Sequence, residues 1–124
     1  MSGIMCLGEQ IIAELYYCDE ELLDDLEYVR KTVMEAAEKA KTRIIDCSFH
    51  KFTPQGVSGV VVIAESHIAI HTWPEYGYAA IDIFTCGKRS MPKLALRHIT
   101  RALKAKKVRY RELRRGVLEH VQVN

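Results

Sequence analysis

The stretch from Ser58 to His71, SGVVVIAESHIAIH, limits what this chain can fold into more than any other. Val60 to Ala64 is an unbroken run of β-branched and small apolar residues, the pattern of a buried strand. The run stops at Glu65-Ser66-His67, and a shorter one, Ile68-Ala-Ile, ends at His71. An ordinary hairpin break would use Gly or Pro. Here the break is a carboxylate, a hydroxyl and an imidazole, set beside a core strand. A further nucleophile, Cys86, follows one strand later. The stretch is therefore a candidate reactive site.

The flanking sequence supplies the rest of a small α+β domain. Glu9 to Tyr17 reads as a strand, stopped by Cys18-Asp19. Asp19 is a natural helix N-cap, with Glu20 and Glu21 where negative charge suits the helix dipole. Leu22, Leu26, Val29, Val33, Ala36, Ala37 and Ala40 then form the apolar stripe of one amphipathic helix. Arg43 to Phe52 alternates as a strand, with Ile45, Cys47 and Phe49 on one side, and Thr53-Pro-Gln-Gly56 turns the chain. After the central run, His71-Thr-Trp-Pro-Glu-Tyr-Gly77 reads as a loop and Tyr78 to Thr85 as a strand ended by Cys86-Gly87. Asp82 inside that strand requires a partner. Ser90 caps a second helix, with Pro92 in its first turn and Met91, Ala95, Ile99, Ala102 and Leu103 as its stripe. Val108 to Arg114 and Val117 to Val123 read as two strands about Arg115-Gly116.

The expected order is β-α-β-β-β-α-β-β: a two-layer α/β sandwich, an antiparallel sheet with two helices on one face. An apolar far face of that sheet would need a partner, so a homodimer is expected. All 124 residues fit one domain, 1–124. A net charge of +2 is too small to argue for nucleic acid or an anionic membrane. The basic tail Lys104 to Arg115 is balanced by acidic residues elsewhere and reads as a solvated helix end and strand. No apolar run approaches a membrane span, and the start lacks the pattern of a secretion signal. Cys6, Cys18, Cys47 and Cys86 show no CxxC or zinc spacing, which suits free thiols in a cytoplasmic protein. His50, His67, His71 and His98 show no useful metal-ligand spacing, so no metal is expected.

Glu65-Ser66 permits an unusual reaction. A serine hydroxyl lies near the carbonyl of the preceding residue. If that peptide is strained and its oxygen meets a donor, Oγ attacks the carbonyl and the amide becomes an ester. Loss of the Ser66 Cα proton then expels Glu65 as a carboxylate. The dehydroalanine left behind hydrolyses to a pyruvoyl group at a new chain start. The reaction needs a base; His67 and His71 are the candidates, His71 by folding back across a bend towards Ser66. Each residue also has an ordinary reading: Ser66 as a turn former, His71 as a structural hydrogen bonder, Cys86 as a small buried apolar residue. The chain lacks GxSxG and the local signatures of cysteine proteases.

Taken together, Phe49 to Gly87, FHKFTPQGVSGVVVIAESHIAIHTWPEYGYAAIDIFTCG, closely resembles the prokaryotic S-adenosylmethionine decarboxylase proenzymes. Leu7-Gly8, the Tyr16 to Asp19 segment and the start of the second helix extend the likeness over most of the chain. Pro92-Lys-Leu-Ala departs mildly from the family's PxKA-like start, outside the motif. The resemblance implies autocatalytic serinolysis between Glu65 and Ser66, giving a β chain 1–65 and an α chain 66–124. It makes Ser66 the pyruvoyl group that forms a Schiff base with the substrate amine. It makes His71 the processing acid-base, Ser58 its helper at the Glu65 carbonyl, and Cys86 the catalytic proton donor. Glu75 would hold the ribose hydroxyls and Phe52 would stack on adenine, with Leu7 or Trp73 nearby. The implied product is the aminopropyl donor for spermidine, made in the cytoplasm by a homodimer of processed αβ units without metal, membrane or nucleic acid. Two rivals stand beside this reading: an arginine decarboxylase of the same fold, and a non-catalytic α/β binding module that stays one intact chain.

Overall fold

The computed structural model describes residues 4–86 and 90–119. In chain order these form β1 (Ile4–Tyr16), α1 (Glu20–Leu23), α2 (Leu26–Lys39), β2 (Ile44–Lys51), β3 (Val57–Ile63), β4 (Ser66–Trp73), a 3-10 turn (Pro74–Tyr76), β5 (Tyr78–Thr85), α3 (Pro92–Ala102) and β6 (Lys107–Glu119). The strands make one antiparallel sheet in the order β2-β3-β4-β5-β1-β6. The two-layer α+β sandwich expected from the sequence is the fold.

Strand alternation decides which residues enter the core. Ile11, Ala13 and Leu15 of β1, Val57, Val61 and Ile63 of β3, Ile68 and Ile70 of β4, and Ala79, Ile81 and Ile83 of β5 are buried. The helices cover them with Leu23, Val29, Val33, Ala36 and Ala37 from α1 and α2, and Ala95, Leu96 and Ile99 from α3. Each such Ile, Leu or Val contributes about 1.5–3 kcal/mol by leaving water. The alternate residues face away from the helices. They include Ile12, Val62 and Trp73, which remain 39%, 41% and 40% exposed.

Four local expectations change. The stripe from Leu22 to Ala40 is two helices, not one. Asp25 accepts the Tyr28 N–H at 3.0 Å as a fresh N-cap, as Asp19 does for Leu22 at 3.1 Å. Short carboxylates prefer that position to a helix interior. The break frees Asp24 to bind the Gly56 N–H at 2.8 Å and the Lys51 ammonium at 2.7 Å, which ties the helices to the β2–β3 loop. Lys51 first, then the Gly56 N–H, holds the Asp24 carboxyl below its ordinary range.

The second change concerns two strands, β4 inside the sheet and β6 at its edge. Ser66–Trp73 is a full strand that includes His71-Thr-Trp, rather than the tail of β3 followed by a loop. The two expected C-terminal strands are one 13-residue strand. Gly116, at φ +63°, absorbs in mid-strand the backbone irregularity that reads as a turn in the sequence. The part of that expectation reaching Val123, and Gly87, lie outside the described residues. Third, α3 starts at Pro92 with Met91, not Ser90, at the N-cap position. Fourth, Ile45 is 55% exposed and does not share the side of the half-buried Cys47 and Phe49, because the β2–β3 register shifts between Ile44 and Asp46.

Thr72 is the buried polar link between the layers. Its Oγ1 donates to the Leu23 carbonyl at 2.8 Å and accepts from the Val57 N–H at 2.9 Å. Thr72→Val keeps the shape but strands both backbone groups. It is expected to lower stability by about 1–3 kcal/mol, read as an earlier urea midpoint with unchanged slope.

Candidate active site

The β3–β4 hairpin turns through Ala64 and Glu65, with Ile63 opposite Ser66. Glu65 sits at φ +66°, a left-handed conformation that a non-glycine residue adopts at a cost of about 1 kcal/mol or more. The strain falls on the residue whose carbonyl precedes Ser66. Ser66 Oγ accepts the backbone N–H of Cys86 at 2.8 Å. That bond brings the end of β5 against the start of β4. On β1, Leu7 lines a cleft of about 470 Å³ with Met5, Glu9, Thr85 and Ser90, beside Cys86. Ser66, Cys86 and Leu7 thus gather at one end of the sheet.

Ser58 and His71 face each other across β3 and β4, with Ser58 Oγ 2.7 Å from His71 Nδ1. The Ser58 hydroxyl donates when Nδ1 carries no proton. The His71 ring lies 6.4 Å from Trp73, and Trp73 lies 5.3 Å from Tyr78. Tyr78 in turn lies 5.5 Å from Tyr16 and donates a short hydrogen bond to Glu14. Burial first, then Glu14, pushes the Tyr78 phenol well above its ordinary range, so it stays a donor. Phe52, at the end of β2, is 47% exposed and meets His50 edge-on at 4.6 Å. Glu75 is exposed in the 3-10 turn after β4. These residues gather at the opposite end of the sheet.

The two groups do not meet within one chain. Ser66 and His71 are five residues apart on one continuous strand, or about 16 Å at the rise of a β-strand. The expected bend that folds His71 back towards Ser66 is absent, because β4 is paired on both sides from His67 to His71. His67 is adjacent to Ser66 but points to the other face of the sheet, where it stacks on Phe84 at 5.9 Å. The candidate residues therefore form two half-sites. The larger groove beside α2, about 550 Å³, contains none of them.

The profile of the S-adenosylmethionine decarboxylase family matches residues 9–116, spanning both half-sites. The chain belongs to that family. The S-adenosylmethionine decarboxylase proenzyme of Caldicellulosiruptor saccharolyticus is 55% identical over 113 residues, covering 91% of each chain. The proenzyme of Moorella thermoacetica is 53% identical over 116 residues, 94% of this chain and 93% of that one. The crystal structure of the adenosylmethionine decarboxylase from Aquifex aeolicus superposes with a TM-score of 0.87 at 35% identity, covering 96% of this chain and 98% of that chain. The resemblance read from the sequence is thereby borne out, and the chain is an enzyme of the S-adenosylmethionine decarboxylase family.

Sequence reasoning missed the Cys86 backbone amide as the donor to Ser66, and the Glu14–Tyr78 pair. Both depend on strand register, which no local pattern encodes. The four histidines among the described residues have separate partners: His50 meets Phe52, His67 meets Phe84, His71 meets Ser58, and His98 lies 3.2 Å from Glu35. Cys18 is buried and its thiol is pushed up to about 11 by burial, which leaves it a core residue rather than a nucleophile.

Proposed function

We propose that this chain decarboxylates S-adenosylmethionine, using a pyruvoyl group that it makes from Ser66. The observation that carries this reading is the strained turn: Glu65 at φ +66°, followed by an Oγ held by the Cys86 N–H at 2.8 Å. A donor on Oγ stabilises its alkoxide form, and the strain is relieved as the turn opens. Oγ attacks the Glu65 carbonyl carbon, the C–N bond breaks, and the Ser66 nitrogen takes up a proton. The ester that results loses the Ser66 Cα proton to a base. The Cβ–O bond then breaks and Glu65 leaves as a carboxylate. The dehydroalanine tautomerises to an imine, water adds and ammonia departs, leaving a ketone on residue 66.

His71 is the base in this reading, with Ser58 fixing its ring and polarising the Glu65 carbonyl. Within one chain His71 is too far away, so the base is His71 of the partner subunit. Two copies packed through their helix-free faces, about a two-fold axis perpendicular to the strands, bring each Ser66 end over the partner's Ser58–His71 end. Stacked sheets lie about 10 Å apart, close enough for side chains to interdigitate. The exposed Ile12, Val62 and Trp73 on that face gain cover in the same step. This makes the active unit a homodimer of processed αβ pairs with two composite sites.

The residues present fit the group: a serine in the strained turn that can generate it, and a thiol beside it. When formed, the pyruvoyl ketone supplies a carbonyl for the substrate amine and an electron sink for decarboxylation. Cys86 returns a proton to the substrate Cα. Glu75 receives the ribose hydroxyls, Phe52 stacks on adenine, and Trp73 and Leu7 border them. The aromatic faces of Phe52 and Trp73 suit the sulfonium cation. The product serves as an aminopropyl donor for spermidine, and the setting is cytoplasmic.

Cys86→Ala is expected to cleave itself, because the backbone amide that holds Ser66 remains. Its kcat falls by about 10²-fold or more, the range of a lost general acid. Intact mass measures the first and CO₂ release from labelled substrate the second; near-parental turnover removes the thiol from the chemistry. The same assay run with arginine separates the two decarboxylase readings.

A further inference from the structure

The cut at Glu65–Ser66 poses a structural problem that follows directly from the proposed cleavage. It severs the β3–β4 turn and leaves residue 66 as a free strand end, and free ends fray. The Cys86 amide cannot hold that end by its present bond, because Oγ leaves with the Glu65 carboxylate. Besides the backbone pairing that starts at His67, the described residues place one side-chain fixture there. The His67 ring stacks on Phe84 at 5.9 Å and 28°. The Arg115 guanidinium lies over the Phe84 ring at 6.0 Å. Gly8 makes room for that ring, since a Cβ at Gly8 would lie 2.9 Å from Phe84 Cζ. Arg115 donates to Gln10, and Gln10 donates to Asp82 at 2.7 Å. This line crosses β6, β1, β5 and β4 and ends on the residue after Ser66. It also supplies the partner that Asp82 requires.

We propose that His67 is a positioning residue, clamped on Phe84 so that residue 66 keeps its place through self-cleavage and turnover. His67 does not act as the processing base in this reading, because its ring is held on Phe84, which itself lies beneath the Arg115 guanidinium. The clamp works through a flat ring, not a proton. Phe at position 67 therefore preserves it and Ala does not.

The test compares the parent with His67→Ala, His67→Phe and Gly8→Ala, following self-cleavage by intact mass and then kcat and KM on cleaved protein. His67→Ala is expected to cleave about tenfold or more slowly, since small misplacements of reacting groups cost that much. Its kcat falls by a similar factor while KM stays within about twofold, the pattern of lost positioning rather than lost substrate contact. His67→Phe stays within about threefold of the parent on both readouts. Gly8→Ala, which displaces Phe84 and leaves His67 intact, copies His67→Ala and keeps the test decisive if His67→Ala does not fold. A His67→Phe as slow as His67→Ala overturns the clamp in favour of a proton role. So does a His67→Ala or Gly8→Ala that cleaves at the parental rate. A parent that never splits refutes the cleavage reading itself and this role with it.

Discussion

Ser66→Ala stays one uncut chain and loses decarboxylation altogether. The substitution removes one oxygen atom, held by the Cys86 N–H, but in the proposed reaction that oxygen is the nucleophile. Without it no ester forms, no elimination follows and no ketone appears on residue 66. The fold is expected to survive, because Ser66 lies at the first position of β4 and the register from His67 to Trp73 does not depend on its hydroxyl. Turnover therefore drops by about 10³-fold or more, to background, without a matching loss of stability. Denaturing electrophoresis and a urea melt on the same sample check both halves. A cut Ser66→Ala chain rejects the acyl shift.

A mixed dimer of Ser66→Ala and His71→Ala regains what each variant lacks alone. His71→Ala keeps its nucleophile but has no base, so it halts as the hydroxylamine-sensitive ester. Ser66→Ala keeps its Ser58–His71 pair but has nothing to cleave. If each site takes Ser66 from one subunit and His71 from the other, one of the two sites in a mixed dimer is whole. Random pairing of equal amounts makes about half of the dimers mixed, so about half of the His71→Ala chains complete their cleavage. If His71 acts within its own chain, the mixture behaves as the sum of two dead proteins. The prediction rests on the separation of about 16 Å along β4, which no side-chain rotation spans.

Most of the architecture is legible in the sequence because it is periodic. The alternation of Ala79, Ile81 and Ile83, and the run Val60 to Ala64 that falls largely in β3, give strands without any help from their neighbours. The helix break at Asp24-Asp25 is less legible, since two carboxylates fit an exposed helix face as well as they fit a cap. Gly116 misleads for a related reason: glycine in the left-handed region serves a turn and a mid-strand irregularity equally. At the site, the candidate residues come from the family motif, and their spatial grouping does not. His71 lies five positions from Ser66 in the sequence, and proximity in sequence suggests proximity in space. An extended strand makes the reverse true, and only the register of β3, β4 and β5 reveals that Ser58 joins His71 while Cys86 joins Ser66.

The mass of the purified, untreated protein tests the central claim most directly. The account predicts two species: residues 1–65 ending in a free Glu65 carboxylate, and residues 66–124 lighter by one ammonia than a fragment that begins with serine. A single species of full-length mass that decarboxylates S-adenosylmethionine at an undiminished rate contradicts it.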